Sequence, residues 1–372
     1  MRKLTWDQVL AFRSERQFLT GRAPRARLLD VCSALCGVQA QVAASAELAL
    51  WARVEGLEGG DVKRALEEER TLVKTWTIRD TVHLIPVDDL PLYVAALRPL
   101  PAEQIGAGYF NQREITRDQY ERIIEAVPRA LDGRPRTREW LADRVAELAG
   151  QDLREPVLTS WGGVLKMSAR LGDLCFGPPR GRNVTFVRPD RWLRRKLPAL
   201  DPDESRRELM RRILGAFGVT SYDDLYRWLE STRIAKELLQ ASRDELVEVE
   251  VEGRPAWAHE LDLEELTMRR RPGGLRLLPG LDAYLLAPRP REPIVPAAHV
   301  ARVFRPQGRV TPVVLVAGRA AGVWSHELRG GRVQVEVEPF GELRPQDRKA
   351  LSAEVERLAA FLGGSPELSL SA

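Results

Sequence analysis

The sequence predicts an α+β chain: three tandem winged-helix units followed by a small β-rich C-terminal subdomain. Three observations predict it. Short helical segments ending in an apolar hairpin recur along the chain, helix caps and turn residues punctuate them at the right places, and the texture turns Val- and Leu-rich after Leu275. At 372 residues the chain exceeds what one hydrophobic core usually organises. The expected boundaries are 1–115, 116–200, 201–262 and 263–372.

In the first segment Thr5 is placed to cap a helix over WDQVLAFRSERQF, Pro24 opens a second over RARLLDVCSALC, and Gly37 ends it. ASAELALWARVEG and GDVKRALEEE read as further helices. TLVKTWTIRDTVHLIP reads as two strands with a turn at its central Arg-Asp. In the second segment ITRDQYERIIEAVPRAL, REWLADRVAELAG capped by Thr137, and SWGGVLKMSARLG are helical. DLCFGPPRGRNVTFV then forms a basic hairpin, which completes the winged-helix order. In the third, SRRELMRRILGAFG, SYDDLYRWLE and STRIAKELLQ precede the alternating hairpin ELVEVEVEGRPAWAHEL, with Ser221 and Ser231 as N-caps. LRLLPGLDAYLLAP, TPVVLVAGRAAGVWSHEL and GRVQVEVEPF read as strands, and DRKALSAEVERLAAFLGG as a closing helix.

Composition narrows the function. No apolar run is long enough to span a bilayer and no secretory h-region opens the chain, so a cytoplasmic protein is expected. Cys32, Cys36 and Cys175 lack metal or disulfide spacing, and the four histidines are scattered, so neither metal nor cofactor is expected. A net charge of +4 permits nucleic-acid binding without demanding it. Three winged-helix units in tandem favour it. In the second unit Lys166, Arg170, Arg180 and Arg182 are placed to contact phosphates.

The sharpest local feature is Gly37-Val38-Gln39-Ala40-Gln41. Once Gly37 stops the helix the link is extended, and residues two apart in an extended link point to one side. Gln39 and Gln41 then converge, and two carboxamides can hold one water in a fixed orientation. On spacing alone, two loop glutamines are as well explained as polar surface.

The segments GVQAQ, TWTIRDTVHLIP, LLPGLDAYLLAPR and TPVVLVAGRAAGVW, taken together and in order, resemble the AlkZ/YcaQ-like winged-helix DNA glycosylase family. That family carries a Gln-aliphatic-Gln motif, matched by Gln39-Ala40-Gln41; a sister branch ends the motif in Asp. Its Arg-Gly-Thr-x-His-Leu strand is matched by Arg79-Asp80-Thr81-Val82-His83-Leu84, with Asp80 standing where glycine is usual. The resemblance implies a monomeric, concave, duplex-binding enzyme that excises N7- or N3-alkylated purines or unhooks interstrand crosslinks.

The chemistry is consistent with the motif. An alkylated purine is already cationic, so it leaves without an acid, through an oxocarbenium-like transition state. What the protein must supply is lesion binding, electrostatic shielding and a positioned water. Gln39 and Gln41 are assigned the water. Arg79 and His83 are expected to contact DNA near the site, and Asp282 and Tyr284, read as strand residues, are possible cleft groups. No lysine stands beside the pair in sequence, the nearest being Lys63 and Lys74, so a monofunctional enzyme without lyase action is expected. Two rivals remain: a transcription regulator that binds an undamaged sequence, and a scaffold that recognises adducts without cleaving them.

Overall fold

Helix starts follow the caps the sequence supplies. In the computed structural model, which describes residues 1–159, 163–268, 272–286 and 290–371, Thr5 caps helix Trp6–Arg16 and exchanges hydrogen bonds with Gln8 in a capping box. Thr116 and Gln119 do the same for Arg117–Ala130, while Thr137, Ser221 and Ser231 cap Arg138–Ala149, Tyr222–Leu229 and Thr232–Ala241. The first part of SWGGVLKMSARLG and the end of LLPGLDAYLLAPR lie outside the described residues; of the former, Leu165–Arg170 is helical.

The chain forms two compact units, one of residues 1–62 and 210–372, the other of residues 63–209. The second unit is built on an antiparallel sheet whose strands run in the order Val82–Pro86, Leu72–Trp76, Cys175–Arg180, Asn183–Val187 and Arg136–Thr137. Trp76, Phe176 and Phe186 pack against one another there, with Trp76 and Phe176 centroids 4.5 Å apart.

In the first unit, strand Arg2–Leu4 joins the hairpin Leu246–Val251/Arg254–His259 by parallel pairing with its first strand. Val249, Val251 and Ala258 turn inward to pack with Leu4, Val9, Phe12 and Leu266. Further along, strands Leu275–Leu278, Val313–Val316, Arg319–Arg329, Arg332–Pro339 and Ser365–Leu370 form a second sheet, and helix Pro345–Leu362 connects the last two. Its inward residues Leu277, Val313, Val335 and Val337 are almost fully buried.

Chain segments far apart in sequence meet at one buried ion pair. Arg53 donates Nη1 to Asp282 Oδ2 and Nη2 to Asp282 Oδ1, both at 2.7 Å, with neither side chain exposed. Arg53 also bonds Ala49 O in helix Ala43–Trp51 and Gln17 Oε1 past helix Trp6–Arg16. Tyr284 completes the group: its N–H donates to Asp282 Oδ1 and its hydroxyl donates to Gly318 O, each at 2.9 Å. Asp282 and Tyr284 therefore depart from the sequence reading. They sit in the turn that follows Leu275–Leu278, not on a strand, and are 1% and 0% exposed, so they brace the core and line no cleft.

Removing one member of such a pair strands a charge in a dry site. Asp282→Ala is expected to lower the free energy of unfolding by about 3–5 kcal/mol. The double substitution Arg53→Met, Asp282→Leu should recover most of that loss, read from urea denaturation midpoints.

Candidate active site

Helix Leu28–Ala34 ends where the backbone turns left-handed at Cys36 (φ 56°) and Gly37 (φ 89°), with Gly37 N–H donating to Cys32 O at 2.9 Å. Gly37 is free to take that angle because it has no Cβ. The chain leaves it extended through the short strand Val38–Gln39, so Ala40 turns into the core at 1% exposure. Gln39 and Gln41 fall on the other side, and Gln39 Nε2 donates to Gln41 Oε1 at 2.6 Å. Gln39 is buried at 8% exposure whereas Gln41 is open to solvent. A carboxamide oxygen has two lone pairs, so Gln41 Oε1 retains one acceptor site after taking the Gln39 proton. Helix Ala43–Trp51 starts two residues later, and no side chain caps its amino end.

That helix carries a residue the sequence reading passed over. Glu47 is half-buried among apolar neighbours, has no ion pair among the described residues, and burial raises its carboxyl above the usual range. A lone glutamate inside AASAELALW was the available signal.

In the other unit, Arg79 and Asp80 form the turn between strands Leu72–Trp76 and Val82–Pro86, with φ of 59° and 51°. Non-glycine residues adopt this left-handed region at a cost of about 1 kcal/mol, which gives a physical reason for glycine at the Asp80 position elsewhere in the resemblance. Here Asp80 obtains a partner: Arg170 Nη1 lies 3.2 Å from its carboxylate. Arg170 also donates Nε and Nη2 to Leu97 O at 3.1 and 2.7 Å, and its side chain is 14% exposed. Arg170 is thus committed to holding the turn, which corrects its expected role at a phosphate.

His83 is corrected too. It lies on strand Val82–Pro86, which is buried along its whole length, and is 3% exposed. Its Nδ1 is 3.0 Å from Thr81 O, so the neutral ring keeps its proton there. Burial, and secondarily the positive charge of Arg79, push its pKa down to about 3 against the pull of that carbonyl. The ring is uncharged at neutral pH and is not a phosphate contact. Arg79 is half-buried at the turn. Lys166 is half-exposed on Leu165–Arg170, while Arg180 and Arg182 are exposed at the tip of the hairpin Cys175–Arg180/Asn183–Val187. None of these three makes an ion pair among the described residues.

Lys74, which the sequence gave no special place, is half-buried, with Nζ 5.4 Å from the Phe176 ring centroid, and burial lowers its pKa. Thr75 rather than Lys74 pairs with His83, so strand alternation directs Lys74 to the other face of the sheet.

Comparison with known proteins places this geometry. The family described as "DNA glycosylase AlkZ-like" matches residues 32–361. The chain is 35% identical over 373 residues to the "Interstrand DNA cross-link repair glycosylase" of Streptomyces sahachiroi, covering 98% of both chains. The solved structure of Streptomyces sahachiroi DNA glycosylase AlkZ superposes with a TM-score of 0.87 at 32% identity, over 99% of this chain and 100% of that one. The mixed α+β fold and these matches define the class: a DNA glycosylase, a hydrolase of DNA repair. The chain belongs to the AlkZ-like DNA glycosylase family.

A histidine held neutral makes stability depend on pH. Its folded pKa lies below the unfolded value of about 6.5, so as pH falls the unfolded state takes up the proton first. The parent should lose stability between about pH 6.5 and 3, by up to about 1.4 kcal/mol per pH unit from this residue. His83→Gln should flatten that slope in denaturation curves collected from pH 7.5 to 4.5, with little change in it above pH 7.

Proposed function

We propose that this chain is a monofunctional glycosylase that hydrolyses the N-glycosidic bond of cationic N7- and N3-alkylated purines in duplex DNA. Its substrates extend to interstrand crosslinks, as the name of its Streptomyces relative supports. The observation that carries the reading is the 2.6 Å contact between Gln39 and Gln41 at the surface end of an extended link. Gln39 fixes the Gln41 amide, and the remaining Gln41 Oε1 lone pair accepts a proton of the attacking water. An amide does not titrate near neutrality, so the pair orients water rather than deprotonating it. That suffices only when the leaving base already carries positive charge. No metal or cofactor takes part.

The DNA is gripped by winged-helix units. The helix Leu165–Arg170 and the hairpin that follows it bring Lys166, Arg180 and Arg182 to phosphates, with Arg79 nearby on its turn. We read the chain as three such units plus the C-terminal sheet, acting as a cytoplasmic monomer.

An oligonucleotide containing N7-methylguanine, followed by alkaline cleavage of abasic sites, tests the chemistry. Gln39→Ala and Gln41→Ala should each slow single-turnover release by about 100-fold or more, with duplex affinity within about threefold of the parent. Glu47→Gln is the control: if the amide pair carries the water, its rate stays near the parent's, whereas a collapse would make Glu47 the base. A regulator or a scaffold would release no base at all.

Borohydride reduction during turnover separates monofunctional from lyase action. No covalent protein–DNA adduct is expected; one that vanished in Lys74→Ala would identify an imine-forming amine. Duplex affinity should also fall by orders of magnitude between about 50 and 200 mM salt.

A further inference from the structure

The outer face of the hairpin Leu246–Val251/Arg254–His259 does not resemble a surface that grips DNA. Its inward residues belong to the core, which leaves Glu248 paired across the strands with Trp257, and Glu250 with Pro255, on the opposite face. Between this face and the first turn of helix Tyr222–Leu229 lies a cleft of about 540 Å³. Tyr222, Pro255 and Trp257 form its apolar walls. Tyr226, 41% exposed and stacked near-parallel to Tyr222 at 6.5 Å, extends the aromatic surface.

Charge decides what fits there. Asp223, Glu248 and Arg254 line the cleft. Arg254 is opposed by Asp224, which lies beneath it in a small adjoining cavity and feels its positive charge. Asp223 and Glu248 carry no ion pair among the described residues. Glu250 and Glu252 on the same hairpin are occupied, one near Lys3 Nζ at 4.0 Å and one accepting Trp6 N–H at 3.0 Å. An aromatic cleft with two uncompensated carboxylates repels a phosphate backbone. It attracts a cation that can also lie against a ring, as arginine and lysine side chains do. Its volume is that of a site taking a few residues of extended chain.

We propose that this cleft docks an extended peptide segment of a partner protein, in which an apolar residue is followed within two or three positions by arginine or lysine. The apolar side chain enters between Tyr222 and Trp257, and the cationic one reaches Asp223 and Glu248. The glycosylase thereby carries a recruitment surface separate from its amide pair.

Panning a random-peptide display library against the full-length protein tests this. Enriched sequences should share the apolar-then-basic pattern, and synthetic versions should bind in the range of tens of micromolar by fluorescence anisotropy. The double substitution Asp223→Lys, Glu248→Lys should weaken binding by about tenfold or more, and Trp257→Ala likewise. Excision of N7-methylguanine should be unchanged in the charge-reversal variant, whose substitutions lie on the surface and leave the core intact. Enrichment of acidic peptides, retention of no peptide over the charge-reversed protein, or unaltered peptide affinity in both variants would overturn the proposal. Displacement of the bound peptide by undamaged duplex would make the cleft a nucleic-acid site and overturn it as well.

Discussion

The first unit depends on the Arg53–Asp282 ion pair. Its partners are 229 residues apart, and both side chains are wholly buried. Burying two charges is costly, and their mutual attraction offsets that cost only with good geometry and further hydrogen bonds. Here the geometry is bidentate, and Arg53 reaches two more acceptors while Asp282 accepts the Tyr284 N–H. A pair of this kind tolerates few alternative arrangements. It fixes the end of helix Ala43–Trp51 against the turn after Leu275–Leu278, and so gives that helix one position.

Fixing the helix matters because the amide pair lies immediately before it. Helix Ala43–Trp51 begins two residues after Gln41, and Gly37 limits the link from the other side. An amide that orients water contributes only through placement, since it has no charge to exert at a distance. Its usefulness falls steeply with small displacements. Gln39, buried and bonded to Gln41, narrows the rotamers open to its exposed neighbour. A rigid core brace, a short link and an internal amide–amide bond together provide what a stronger base would provide by charge.

How much of this was legible in the sequence follows from what each feature depends on. Caps at Thr5, Thr137, Ser221 and Ser231 are local, and the sequence indicated all four. The convergence of Gln39 and Gln41 is also local, since it needs only a stop at Gly37 and extended alternation. His83, Arg170, Asp282 and Tyr284 were misjudged because their roles depend on burial, which distant segments create. Arg170 is indistinguishable in sequence from Arg180, yet one is held by Leu97 O and Asp80 while the other is exposed at a hairpin tip. Strands Arg2–Leu4 and Ser365–Leu370 escaped notice because RKL is too short for a pattern and SPELSL has little apolar alternation. Each is set by parallel backbone pairing to a strand far away or across a helix.

Hairpins of one shape need not have one task. Cys175–Arg180/Asn183–Val187 ends in Arg180 and Arg182, both open to solvent, whereas Leu246–Val251/Arg254–His259 displays Glu248 and Trp257 on its outer face. Helix order and strand pairing are alike enough that periodicity reads both as wings. Duplex binding, however, is carried largely by neutralising phosphates, so the sign of the exposed charge assigns the role that topology leaves open. On that ground the basic hairpin belongs with DNA and the acidic one does not. In a chain built from repeated helix–hairpin units, each repeat is therefore free to diverge in partner while its core residues, Val249 and Val251 in one and Phe186 and Val187 in the other, remain buried.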